Sequence, residues 1–112
     1  MTQQNAINRS LTWINPTLQS NWVNYGYGLP PAAFCLNSLG YVQFTGVIAN
    51  GVAGNVCTLP VGYRPKTHKG FRLFASDLQS YVIIYPSGDV SISLPTNSNT
   101  YVYLDNIFFP IY

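Results

Sequence analysis

Residues 40–65 read GYVQFTGVIANGVAGNVCTLPVGYRP and carry the clearest structural signal in the chain. Their first part alternates strictly, with Val42, Phe44 and Ile48 on one side of an extended chain and the intervening residues on the other. Alternation with a period of two predicts a strand that buries one face. We therefore expect one long β-strand here, with the side of Phe44 turned towards the core.

The same stretch continues into a turn and a second strand. Asn50-Gly51 is the dipeptide that most readily supplies the backbone conformations of a tight hairpin turn. A short run over 55–59 follows, and Pro60 ends it because proline cannot donate to a β-ladder. These features predict two antiparallel strands joined by a hairpin.

Other segments also have the composition and spacing of short strands, namely 33–36, 70–75, 81–85, 89–94 and 101–109. The continuous apolar run YVIIY at 81–85 is typical of a strand covered on both faces. About seven or eight short strands separated by turn residues indicate an antiparallel β-sandwich or barrel. We assign this predicted β domain to residues 17–112.

Residues 1–16 precede that domain as a helical or extended segment, in which 2–14 are the one plausible helix. The apolar residues at helical spacing are Ile7, Leu11 and Ile14. Pro16 ends the helix because the residue before a proline is pushed out of the α region. A helix this short is stable only when it packs on something, so we expect it to dock on the β domain or on copies of itself.

The composition favours self-association. The chain has 112 residues, of which 47% are hydrophobic and only 7% charged, against roughly a quarter charged in an average soluble protein. So little charge leaves weak electrostatic repulsion between copies. Two features account for the low fraction of charged residues, namely burial of surface in subunit interfaces and a surface of Asn, Ser, Thr, Gln and Tyr. We expect both, and therefore a homo-oligomer.

Several classes of protein do not fit the sequence. No apolar run approaches the ~20 residues of a membrane span, and the N-terminus lacks the pattern of a secretory signal. We therefore expect folding in a cytoplasm and no membrane insertion. A net charge of +2 is too small to indicate a nucleic-acid partner.

Most of the positive charge falls in one segment, which contains Arg64, Lys66, His68, Lys69 and Arg72. A basic cluster of this kind steers anionic ligands, such as a phosphate-bearing cell-wall polymer. The simpler interpretation is a solubilising loop, since exposed loops collect charge. Both interpretations stay open at this stage, and the simpler one is favoured.

Aromatic residues are concentrated in a Gly-rich connector that contains Trp22, Tyr25 and Tyr27. An exposed group of such rings would stack against a sugar, with the tyrosine hydroxyls supplying hydrogen bonds. Alternatively, Trp22 and Tyr25 close one end of the β core, because large aromatic side chains usually bury when they can. The second interpretation is favoured.

The sequence contains no recognisable catalytic or cofactor motif. It has no Glu, one His and three Asp, and no nucleophile elbow, Walker loop or dinucleotide fingerprint. Cys35 and Cys57 lack the spacing of a zinc site, and we expect both to be free thiols in a reducing compartment. We therefore expect a protein that is not an enzyme and holds no cofactor or metal.

Three motifs together resemble a module of tailed-phage tail, neck and fibre proteins. They are W-x-x-Y-G at 22–26, G-x-V-x-F-x-G-x-I-x-x-G at 40–51, and T-L-P-x-G-Y-R-P at 58–65. S-G-D-V at 87–90 and the closing YVYLDNIFF at 101–109 extend the resemblance over most of the chain. The module is similar to a β-sandwich domain of siphophage receptor-binding proteins.

The resemblance implies a non-enzymatic virion component of a tail tip or baseplate that assists host adsorption. It also implies a homo-oligomer, with a trimer favoured, and other tail proteins as partners. A host cell-surface saccharide or teichoic acid would be the receptor, and the protein would be assembled in the host cytoplasm. A free-standing lectin-like carbohydrate-binding module is the alternative.

Overall fold

The computed structural model describes residues 11–75, 80–93 and 101–112, and these form a mainly β structure without helix. The strands are β1 (Val23–Asn24), β2 (Ala33–Leu36), β3 (Tyr41–Thr45), β4 (Val47–Ala49), β5 (Gly54–Thr58), β6 (Lys69–Arg72), β7 (Tyr81–Ile84), β8 (Asp89–Ser93), β9 (Tyr101–Tyr103) and β10 (Phe108–Pro110). The mainly β, antiparallel fold class predicted from the sequence is confirmed.

The strands form three antiparallel sheets, ordered β1-β4-β9, β10-β3-β2 and β5-β8-β7-β6. Each of these sheets is open at both edges over the described residues, so the closed barrel considered from the sequence is not observed there. Buried side chains of all three sheets nevertheless share one hydrophobic core. The largest that are fully buried are Phe34, Phe109, Ile48, Leu59 and Ile84.

Gly46 divides the predicted long strand into β3 and β4. Its φ of +110° interrupts the extended chain, so that β3 joins the β10-β3-β2 sheet and β4 joins the β1-β4-β9 sheet. A Cβ atom at Gly46 would lie 2.4 Å from the backbone oxygen of Pro31, which leaves no room for a side chain. The Gly46 N–H donates to Oδ1 of Asp105 at 3.1 Å. A glycine corner therefore lets one segment contribute to two sheets.

The predicted burial of this segment is confirmed on both sides of the corner. Val42 and Phe44 are buried while the residues beside them in β3 are half-buried, and Ile48 is fully buried in β4. The burial of Phe44 shows that the register of the predicted alternation is correct.

The hairpin predicted at Asn50-Gly51 is wrong. β4 pairs with β1 and β9, whereas β5 pairs with β8 in another sheet, so the turn connects two sheets and not two paired strands. Asn50 does adopt a left-handed conformation, with φ 66°. Gly51 is buried under the indole of Trp22, and that close approach, which a Cβ atom would block, is what the glycine provides.

The strand count is ten in the described residues, against the predicted seven or eight. Two predicted strands, 41–48 and 101–109, are each divided in two, and Val23–Asn24 adds a strand from the predicted connector. The predicted 81–85 strand is buried mainly on one face, since Tyr81 is exposed and only Val82 and Ile84 are fully buried. The expectation of cover on both faces is therefore wrong.

The predicted N-terminal helix is not present where the structure describes it. Residues 11–13 have no regular structure, and Ile14 forms an antiparallel bridge with Phe34 through two backbone hydrogen bonds of 2.8 and 2.9 Å. The segment thus extends the β10-β3-β2 sheet beyond β2. The rest of the prediction, including Ile7, lies outside the described residues. The described residues contain no helix that is long and apolar enough to span a membrane.

Candidate binding surface

The outer face of the β1-β4-β9 sheet is covered by tyrosine rings. In this sheet Val47 lies opposite Tyr103, and Ala49 lies opposite Tyr101. Directly opposed residues share a face, so both tyrosines lie on the side of the sheet away from Ile48. Val47 and Ala49 are nevertheless buried. Their burial follows because larger side chains cover them on this outer face.

Tyr25 and Tyr27 reach the same face from the loop after β1. The Tyr25 N–H donates to the Val47 carbonyl at 2.9 Å, which ties the loop to β4. Gly26, Tyr27 and Gly28 all have positive φ angles, of 81°, 56° and 80°. The two glycines adopt such angles at little cost, but Tyr27 bears the strain of a left-handed conformation. This turn holds the Tyr27 ring out into solvent, where the side chain is 89% exposed.

Phe74 completes the surface from the chain beyond β6. The Tyr103 N–H donates to the Phe74 carbonyl at 2.8 Å, and Ala75 forms a bridge with Val102 of β9. Phe74 therefore lies beside Tyr103 and is 61% exposed, while its neighbours Leu73 and Ala75 point into the core.

The rings follow one another in the order Tyr27, Tyr25, Tyr101, Tyr103 and Phe74, and we call this group the aromatic strip. Successive ring centroids are 5.1, 5.5, 6.1 and 5.1 Å apart. The corresponding angles between ring planes are 53°, 33°, 71° and 76°. The strip is therefore continuous but not flat. The described residues form no pocket.

Trp22, the first of the predicted binding aromatics, is not part of the strip. Its side chain is 3% exposed, and its indole Nε1–H donates to the Val52 carbonyl at 3.0 Å. The indole therefore closes the core, as the alternative interpretation expected, and offers no free ring face. The rings of Tyr25 and Tyr27 lie together, with centroids 5.1 Å apart, and Tyr25 is 36% exposed. The favoured interpretation, in which Tyr25 closes the core together with Trp22, is therefore wrong for Tyr25.

The residues of the predicted basic cluster differ in their burial and in their contacts. Arg64 is half-buried, and its Nε–H donates to the Leu59 carbonyl at 2.8 Å, so it fastens its own loop. His68 is exposed and makes an edge-on ring contact with Tyr85 at 4.8 Å. Lys66 and Arg72 are exposed, and Lys69 is half-buried at the other end of β6 from Arg72. Steering of an anionic ligand by these residues stays a prediction.

A second group of aromatic rings lies on the β10-β3-β2 sheet, with Phe108 and Tyr112 exposed and Tyr41 half-buried. Tyr41 stacks on Phe108, with centroids 4.7 Å apart, and meets Tyr112 edge-on at 6.1 Å. A side-chain hydrogen bond with Tyr41 raises the pKa of the Tyr112 phenol above its usual value. This group has only three rings and is separate from the aromatic strip.

The two cysteines lie in different sheets, Cys35 in β2 and Cys57 in β5, and both are buried and free. Burial raises the pKa of the Cys57 thiol to about 12, and the nearby Asp89 carboxylate adds to the effect. Burial also raises the pKa of Cys35, which a hydrogen bond with Gln43 partly offsets. The described part of the chain contains no group of three or more residues suited to hold a metal ion.

Sequence reasoning missed Phe74, Tyr101 and Tyr103 as candidate binding residues. The alternation of Tyr101 and Tyr103 around Val102 is a visible signal for two rings on one side of a strand. The pairing of β9 with β4, which brings these rings beside Tyr25, joins residues about half the chain apart and leaves no local signal.

No family model matches the chain, and no curated protein matches it in sequence. Among solved structures, it is similar to the receptor binding protein gp15 of Listeria phage PSA, with a TM-score of 0.69 and 18% sequence identity. The likeness covers 95% of this chain and 69% of the phage protein. The chain has the fold of a phage receptor-binding protein. That fold confirms the resemblance to phage receptor-binding-protein domains, but at this identity no residue's role is carried across.

Proposed function

We propose that the chain is a virion component of a tailed phage that acts in host adsorption from the tail tip or baseplate. The observation that carries the proposal is the receptor-binding-protein fold, which extends over nearly the whole chain. The motifs at 22–26, 40–51 and 58–65 point to the same class of proteins independently of that comparison. In this proposal the protein is made in the host cytoplasm and assembled there with other tail proteins.

The proposed role is binding and assembly, without catalysis. The two described aspartates both hold nearby parts of the fold together. Asp105 accepts a hydrogen bond from the Gly46 N–H, and Asp89 accepts one from the Thr58 hydroxyl at 3.0 Å. The His68 ring lies edge-on against Tyr85, with centroids 4.8 Å apart. These arrangements favour structural roles for the groups that acid–base chemistry would need.

We also propose that the sheets pack as a β-sandwich and that the protein works as a homo-oligomer, with a trimer favoured. The shared core supports the packing, because residues of all three sheets contribute to it. The low charge of 7% supports association. Light scattering of the purified protein at micromolar concentration tests this proposal, and a 12.4 kDa species throughout would contradict it.

A lectin-like module that acts outside the virion is the second candidate. The aromatic strip is the observation that favours it, because exposed tyrosine rings are suited to carbohydrate binding. The two candidates differ in where the protein is found, since only a virion component is retained in purified particles.

Mass spectrometry of density-purified particles of the phage that encodes the chain tests the main candidate. We expect peptides of this protein at an abundance comparable to that of known tail proteins. Recovery of the protein only from the particle-free fraction, with tail proteins found in the particles as usual, would contradict a virion role and favour the lectin.

A further inference from the structure

We propose that the aromatic strip is a binding site for a single extended saccharide chain. The choice of a bacterial surface polysaccharide as the natural ligand rests on the adsorption role proposed above. The site itself is inferred from the order and angles of the five rings. Tyr25, Tyr27 and Phe74 are exposed, and Tyr101 and Tyr103 between them are half-buried. Nothing in the sequence motifs assigns Phe74, Tyr101 or Tyr103 to binding.

The side-chain chemistry of the strip is suited to sugars. Four of its five rings are tyrosines, which combine an apolar ring face with a hydroxyl that donates and accepts hydrogen bonds. A pyranose has the matching combination of C–H groups on its faces and hydroxyls around its edge. The strip itself contains no charged side chain, so stacking and neutral hydrogen bonds would dominate the binding.

The layout of the strip indicates a chain and not a single sugar. The rings succeed one another at 5.1 to 6.1 Å, which is comparable to the advance from one pyranose to the next in an extended polysaccharide. With no enclosed cavity in the described residues, a monosaccharide would meet one or two rings and stay largely in water. A chain gains one contact for each ring that it crosses.

The angles between the rings indicate the form of that chain. A flat crystalline polysaccharide surface requires coplanar rings, whereas neighbouring rings here are inclined by 33° to 76°. A single chain that twists along its axis presents its sugar faces at successive angles and fits such an arrangement. The strip therefore selects isolated chains over packed sheets of chains.

Backbone hydrogen bonds hold in place the segments that carry these rings. Hydrogen bonds from Tyr25 to Val47 and from Tyr103 to Phe74 anchor the strip to the sheet. Tyr27 has a left-handed backbone conformation, with φ 56°, a type of strain that concentrates at ligand-binding sites. A preorganised surface loses less conformational entropy on binding, and this partly offsets the weakness of each stacking contact.

The test uses the full-length protein and affinity electrophoresis through gels that contain polysaccharide purified from host cell walls. The two test variants are Tyr27→Ala and Phe74→Ala, which remove the exposed rings at the two ends of the strip. Phe108→Ala is the matched control, because Phe108 is a 48% exposed ring on another sheet. Tyr27→Phe keeps the ring and separates stacking from hydrogen bonding. Melting temperatures verify that each variant is folded.

We expect Tyr27→Ala and Phe74→Ala each to weaken binding about five- to tenfold, while Phe108→Ala binds like the wild type. Affinity for oligosaccharides released from the same polysaccharide should rise with their length, from one sugar to about four or five. The protein should not bind to insoluble crystalline cellulose. Equal affinity for monosaccharide and chain, or unchanged binding by both folded end variants, would overturn the inference.

Two further outcomes separate this inference from the proposed function. If the protein is found in purified particles but binds no host polysaccharide, the strip inference fails and the virion role stands. If it binds the polysaccharide through the strip but is absent from particles, the strip inference stands and the virion role fails. Loss of an oligomer in Tyr27→Ala, measured by light scattering, would show instead that the strip is an interface between copies.

Discussion

The backbone N–H of Gly46 donates to Oδ1 of Asp105 over 3.1 Å, although the two residues are 59 positions apart in the sequence. This bond lies where β3 passes into β4 and close to where β9 leads towards β10. The adjacent Leu104 N–H donates back to the Gly46 carbonyl at 2.9 Å. The pair thus fixes the corner at which two chain segments pass from one sheet to another.

Removing the carboxylate of Asp105 should destabilise the corner. Asp105→Ala leaves the Gly46 N–H without its charged acceptor, and we expect the free energy of unfolding to fall by about 1–2 kcal/mol. Asp105→Asn keeps an acceptor oxygen and should lose less than about half of that. Urea denaturation of the three proteins measures the effect. Equal stability of Asp105→Ala and the wild type would show that water replaces the carboxylate fully.

A side chain at Gly46 should be far more damaging than one at another positive-φ glycine. Gly46→Ala places a Cβ atom against the Pro31 backbone, and we expect a loss of at least ~3 kcal/mol from steric overlap and backbone strain together. Gly62, with φ 99° and nothing near its Cβ position, is the matched control. Gly62→Ala should cost only about 1–2 kcal/mol. Similar denaturation midpoints for the two variants would contradict the tight corner.

Truncation of Phe44 tests the core. Its side chain is buried and meets the ring of Phe34 with centroids 5.7 Å apart. Phe44→Ala should therefore cost about 3–5 kcal/mol. Phe108→Ala removes a half-exposed ring of the neighbouring strand and should cost less than about half as much. An unchanged melting temperature for Phe44→Ala would be incompatible with the described register of β3.

The buried thiol of Cys57 should make stability fall at high pH. Its pKa is raised from 9.0 to about 12 in the folded protein, so between these values the unfolded chain loses a proton that the folded chain keeps. The contribution is fully present below pH 9 and is lost as the pH rises towards 12, at about 1.4 kcal/mol per pH unit. Denaturation of the wild type and of Cys57→Ala across this range isolates the effect, because other groups titrate alike in both. Identical slopes for the two proteins would contradict the shift.

Local patterns account for much of the fold but not for its topology. The 33–36 strand was predicted with its observed bounds, and alternation placed Phe44 in the core. The corner at Gly46 was missed because a glycine fits the alternation of a strand as well as it fits a break. The partners of β4 were missed because sheet pairing is set by packing between distant segments.

Local sequence patterns likewise reveal only part of the candidate site. The sequence indicated Tyr25 and Tyr27 because a Gly-rich loop with several aromatic rings stands out locally. Trp22 stood out equally, yet its indole packs over Gly51, which has no side chain, and is buried there. The remaining rings of the strip are supplied by β9 and by the chain beyond β6, which meet Tyr25 only in the folded protein, so no local pattern joins them to Tyr25.

Immunogold electron microscopy of intact particles tests the central claim most directly. Antibodies raised against the purified chain are applied to particles of the tailed phage that would encode it under the proposed function, with serum depleted on that chain as the control. A protein that acts in adsorption from the tail predicts gold at the host-proximal end of the tail, removed by depletion. Particles that stay unlabelled, or that carry the label on the capsid, would contradict the account.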